Sequence, residues 1–252
     1  MWLNLTTFLR AFLLVSFGLW SGGLLLWAQA PLVEDQLLPR AAEDSVLLGW
    51  KFQSAERALE SGLSRVAEEQ YRRILAHETL TANEADAVNI RLAVALIVQQ
   101  RYQAARLVLE QVSEVGRDSA YYLYAAVATY GDGQLLDATR FNALLRSIQR
   151  TELVGGDVPW FYVLRGLQAE LAGELESVLP AFERAATAAQ VSEAQQAFFD
   201  SLVLRQKLRL SPSSDALAAD VRSQLRRFEG EAAAYAYARE YAVILYNQGR
   251  IK

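Results

Sequence analysis

Tyr162–Ala188, YVLRGLQAELAGELESVLPAFERAATA, is the stretch that decides the fold. Its apolar residues recur at three- and four-residue spacing on both sides of Gly173, which is the periodicity of two amphipathic helices and not of alternating strands. Gly166 stands before the turn and Val178 after it, twelve residues apart. Two antiparallel helices approach closely only where a small side chain stands at the crossing, so this spacing predicts an αα-hairpin.

The same arrangement returns along the chain. Ala55 and Ala67 flank Gly62, Ala93 and Ala105 flank Gln100, and Ala126 and Ala138 flank Gly133. Ala242 stands seven residues before Gly249, and Ala197–Leu210 with Asp215–Phe228 fill the intervening length as an irregular hairpin. The turns fall at Gly62, Gln100-Arg101, Gly131-Asp132-Gly133, Gly173, Ser211-Pro212 and Gly249, each after about four helical turns. Looser joins fall at His77–Glu84, Val115–Ser119, Val154–Pro159 and Ala189–Glu193. Alanine and leucine are abundant throughout, as a helical chain requires.

With these pairs in place the chain resembles the tetratricopeptide repeat family over about residues 46–252. The aromatic or aliphatic slot of the second helix is filled by Tyr71, Leu109 and Phe182, and Asn142 departs from it. The opening Trp and the closing Pro of the family pattern are absent, and the repeat length varies. The resemblance implies an all-α, right-handed α-solenoid of stacked hairpins, TPR-like, whose first helices line a concave groove. Carried over by position, the groove slots are Phe52 and Glu56, then Ile90, Val94 and Ile97, then Leu123, Val127 and Tyr130, then Trp160, Val163 and Leu167. An apolar helix or extended segment of a protein partner is the ligand that such a surface would take. The other reading of these residues is that they form the array's own core, since apolar positions at helical spacing are core by default.

The N-terminus is a different kind of sequence. Residues 1–30 join a short positive end at Arg10, the uncharged run Ala11–Trp27 and the small-residue ending Ala28-Gln29-Ala30, which are the parts of a secretory signal peptide. Pro31 directly after the scissile bond is a poor protease substrate, so an uncleaved anchor is the alternative. Residues 31–45 then form a linker, and the chain beyond is expected to be exported, periplasmic or secreted. All 29 acids follow residue 30, leaving them opposed by 24 bases. A mildly acidic chain with interspersed signs carries no phosphate-tracking footprint, so nucleic acid is excluded as a partner.

Composition excludes most chemistry. With no cysteine and one histidine, His77, the chain can build no disulfide, thiol nucleophile, cysteine zinc site or two-histidine metal motif. Gly155-Gly156-Asp157 lacks the lysine of a phosphate cradle and reads as a connector. Gly131-Asp132-Gly133 is too short for a calcium loop. His77 ends a helix, where the dipole favours a cation. Glu68 and Glu69 neighbour Arg72 and Arg73 and read as exposed ion pairs. No catalytic residue, cofactor or metal is therefore expected. The expectation is a non-catalytic scaffold for an envelope or secreted protein, with the helical arm of a longer exported enzyme of cell-wall-acting type as the alternative. Tyr241, Ala242 and Leu245 lack a following second helix, which predicts that the last repeat is incomplete and continues past Lys252.

Overall fold

The computed structural model describes residues 40–133, 137–188, 193–211, 214–230 and 234–250, and the expected leader and most of the linker lie outside them. Eleven α-helices and one 3-10 turn make up the described residues, with no strand among them. In order they are α1 (Arg40–Glu60), α2 (Ser64–His77), α3 (Ala82–Val98), α4 (Tyr102–Leu109), α5 (Ser119–Gly131), α6 (Ala138–Ser147), the 3-10 turn Arg150–Glu152, α7 (Asp157–Ala172), α8 (Leu175–Thr187), α9 (Glu193–Leu210), α10 (Asp215–Arg227) and α11 (Ala234–Asn247). The protein is all-α, and its first helix starts at Arg40, ahead of the expected boundary at 46.

The hairpin turns are built alike. After α1, α3, α7 and α11 the chain closes on the same pair of backbone bonds, the longer ones being Leu63 N–H to Ala58 O, Arg101 N–H to Leu96 O, Glu174 N–H to Ala169 O and Arg250 N–H to Leu245 O. Each pair satisfies carbonyls that the helix end leaves unpaired, and each needs one residue in the left-handed region. Gly62, Gly173 and Gly249 supply it, while Gln100 adopts φ 61° without being glycine. Helix starts are capped locally too. Thr81 and Glu84 form a reciprocal capping box on α3, and the Asp118 and Asp137 carboxylates accept from backbone N–H groups in the first turns of α5 and α6.

Helices adjacent in sequence pack together, and successive first helices also touch: α3 on α5, α5 on α7, α9 on α11. The first helices α3, α5 and α7 thus pack in series as one layer, called inner below, and the second helices that flank them are called outer. The second half of α3, Leu92–Val98, and most of α5 are apolar all round; Val88–Val98 is buried except for Arg91, and Leu123–Gly131 is buried throughout. The outer helices bury one stripe each. Its centre is an i,i+4 pair: Ala67 and Tyr71 on α2, Ala105 and Leu109 on α4, Phe141 and Leu145 on α6, Val178 and Phe182 on α8.

One of the expected pairings differs in the structure. Ala138 is exposed, and Phe141 takes the buried place opposite α5, its ring 5.5 Å from Tyr130. The cause is the connection after Gly131, which is longer than the turns at Gly62 or Gly173 and delays the register of α6. Ala242, for which no partner was expected, is exposed. The irregular hairpin is also rearranged, since α10 packs chiefly on α11 and α9 on α8 and α11. α9 serves two cores: Phe198, Phe199 and Leu202 belong to the larger, while Leu204 and Leu208 join Val221, Tyr237 and Ile244 in the smaller.

The close approach expected at Gly166 is present. A Cβ there would lie 2.5 Å from the Phe182 ring. Gly166→Ala should therefore cost about 1–3 kcal/mol in urea unfolding, as overpacked sites do. Gln100→Gly should do the reverse and stabilise the chain by about 1 kcal/mol, by relieving a left-handed residue that carries a Cβ.

Candidate functional site

The structure places the expected groove residues inside the protein. Ile90, Val94, Ile97, Leu123, Val127, Tyr130, Trp160, Val163 and Leu167 are all buried, and Phe52 is half-buried with its ring 5.9 Å from Tyr71. Trp160 packs on Phe198 and Phe199 at centroid distances of 5.5 and 5.7 Å. These side chains form the core between the layers and do not line an open groove. The physical reason is enclosure: helices apolar all round leave no face for a ligand once their neighbours are in place.

What the first helices share is a polar seam. Glu56 on α1 accepts from Arg91 Nε of α3 at 2.6 Å, and the second Arg91 nitrogen reaches the other carboxylate oxygen. The Tyr71 hydroxyl donates to the same Glu56. Further along, Tyr124 of α5 donates to Asp157 Oδ1 of α7 at 2.6 Å. Leu59, Glu60, Arg91, Tyr124, Gly156, Asp157 and Trp160 enclose a space of about 20 Å³, room for water and nothing larger. Glu170 of α7 and Arg209 of α9 continue the pattern at 2.5 Å.

Burial decides how these groups ionise. It raises the pKa of Asp157, and the hydrogen bond from Tyr124 and the charge of Arg91 only partly oppose it. Tyr124 is pushed up by burial and then by Asp157. Glu240 on α11 is raised by burial against the nearby charges of Arg239, Arg205 and Arg209. A raised carboxyl in a cleft can act as a general acid, but this one faces neighbouring helices across a water-sized gap. The arrangement ties successive inner helices together instead. Arg91 was visible in the sequence as the single cation within the apolar run of α3, whereas Asp157 passed for a connector residue.

An open site lies on the outer layer. Arg65, Glu68, Glu69, Arg72, Arg73, Ala76 and His77 form one stripe of α2, and with Gln99 and Arg101 of the α3–α4 turn they line a groove of about 680 Å³. Glu68 is buried beneath it, contrary to the exposed pairing expected of it. It accepts from Arg101 at 2.7 Å and from Gln99 at 2.8 Å, and pairs with Arg72 at 2.5 Å. Burial alone would raise its pKa; those hydrogen bonds and charges outweigh it and hold the carboxyl below its usual range.

No metal-ligating group of three acidic, His or Cys residues and no helix long and apolar enough to cross a membrane occurs among the described residues. In comparison with known proteins the chain matches no family model, no curated sequence and no solved structure.

Two variants test the seam. Arg91→Met removes the partner of a half-buried carboxylate and should destabilise the chain by about 2 kcal/mol in urea unfolding. Asp157 binds its proton more tightly folded than unfolded, so its contribution favours the folded chain below about pH 4 and is lost as pH rises through the raised value. Asp157→Asn, which still accepts from Tyr124, should be more stable than the parent at pH 7 and lose that advantage near pH 3.

Proposed function

We propose that this chain is an exported, non-catalytic protein-binding scaffold, a TPR-like right-handed α-solenoid that meets its partner on its outer layer. The open groove along α2 and the α3–α4 turn carries the reading. It is an open surface feature beside first helices that are engaged with one another. Stacked hairpins support the solenoid assignment, since hairpins that share turn chemistry and pack on their sequence neighbours propagate by the same contact. Export is supported by the N-terminal pattern, a positive start, an uncharged run and a small-residue ending.

The partner is a protein of the same compartment. A mildly acidic chain whose cations are interspersed with acids suits a polypeptide better than a nucleic acid. Repeat arrays of this kind act through contact, with no transfer of atoms, so no side chain needs a reactive protonation state. The buried carboxyls of the seam fit that role as structural ties.

The test is the native chain in its source cells. We expect an intact mass beginning near residue 29 or 31, recovery outside the cytoplasm, and a photo-crosslink to one partner from a probe at Ala76, an exposed residue of the same groove. Retention of Met1 together with a cytoplasmic location would overturn export. A crosslink from the smaller core's surface but none from α2 would overturn the outer-layer assignment.

A further inference from the structure

The groove on α2 also carries information about what fills it. Arg65, Arg72, Arg73 and Arg101 bring four guanidinium groups to one open surface, against the carboxylates of Glu68 and Glu69. Glu68 is consumed from below. It is buried, and it holds Arg72 and Arg101 from two different elements in fixed positions at the groove wall. Glu69 is paired with Arg73 one helical turn away. Arg65 makes no ion pair with any described residue, and His77 closes the far end of the stripe. The lining therefore keeps an excess of two positive charges in a chain whose net charge is −4.

We infer that this groove binds a short acidic segment of a protein partner, an extended run of Asp and Glu side chains whose carboxylates meet these arginines. The inference rests on the scaffold reading above and names the partner's chemistry. Length agrees with it. From Arg65 to His77 the stripe runs about 18 Å along the helix axis, the span of about five or six extended residues. Chemistry agrees as well, because a guanidinium fork matches a carboxylate in two parallel hydrogen bonds. Ala76 leaves the wall low between Arg72 and His77, where a peptide backbone can approach. A nucleic acid is disfavoured by Glu68 and Glu69, which interrupt any phosphate track along the stripe. A lipid surface is disfavoured because a flat headgroup layer does not enter a groove between a helix and a turn.

The test uses the full chain and a fluorescein-labelled peptide of about six residues rich in glutamate, with a glutamine peptide of equal length as control. Fluorescence anisotropy should show binding of the acidic peptide alone, weakening as salt rises. The exchange Arg65→Glu with Arg73→Glu changes two exposed residues and should lower affinity about tenfold or more. Arg146→Glu on α6, equally exposed and remote from the groove, should leave it unchanged. Circular dichroism of both variants checks that they fold. Equal binding of the two peptides, or full affinity in the double variant, would overturn the inference. Displacement of the peptide by inorganic phosphate at equal concentration, or preferred binding to vesicles of anionic lipid, would overturn the partner class. If the double variant still crosslinks to the native partner, the groove assignment fails while the scaffold reading stands. Loss of that crosslink with unchanged folding is the outcome that both expect.

Discussion

A helical stretch that is apolar all round has to be enclosed, and Leu92–Val98 of α3 and Leu123–Ala128 of α5 are two such stretches on packed helices. From Leu92 to Val98 the side chains are apolar in every direction. Burying each of the larger ones is worth about 1.5–3 kcal/mol, so any face left in water forfeits several of these contributions. The outer helices answer with one stripe each, centred on a small or aromatic residue and its neighbour one turn on. α7 packs on α5, and Glu56 of α1 reaches Arg91 of α3. The two-layer order of the molecule follows from that requirement more than from any single contact.

Enclosure constrains the charges that remain. Apolar contact is non-directional and would tolerate sliding of one inner helix along the next. The Arg91–Glu56 pair is directional, with two donors fixed on two acceptors, and Tyr124–Asp157 is a single hydrogen bond with the same consequence. Both link first helices of neighbouring hairpins, and Glu170–Arg209 extends the practice to α9. A partly buried polar tie of this kind sets register at a cost in stability, which is the sense of the raised pKa at Asp157. The inner layer is thus fixed along its length by polar ties and held together by apolar ones.

Helices and hairpin turns were legible in the sequence because both are written locally. Gly62, Gly173 and Gly249 punctuate apolar periods, and the backbone answers at each of them. Ala138 misled because a constant spacing assumes a constant turn, and the longer connection before α6 handed its place to Phe141. The groove residues misled for a deeper reason. Periodicity tells which residues face other helices, but not how many faces an array finally covers, so Val94 and Val127 could be read equally as lining or as core. Glu68 was read as exposed because its local neighbours are arginines one turn away. Arg101 and Gln99, which bury it, arrive from a turn more than thirty residues along the chain.

That distant contact is what separates the outer groove from an ordinary charged helix face. An i,i+4 ion pair on a solvated helix fluctuates and is worth a few tenths of a kcal/mol. Arg72 and Arg101 instead converge on one buried carboxylate, held ionised by the hydrogen bonds it accepts. Their side chains are thereby ordered at folding, before any partner arrives, and a ligand meets two guanidinium groups with less rotamer freedom left to lose. Singly exposed apolar residues such as Trp50 and Leu107 have no such arrangement behind them and are common on folded surfaces. Pre-ordered cations drawn from two elements around a buried anion make a surface whose recognition chemistry is anionic, and the closed inner layer is what keeps the two elements in place.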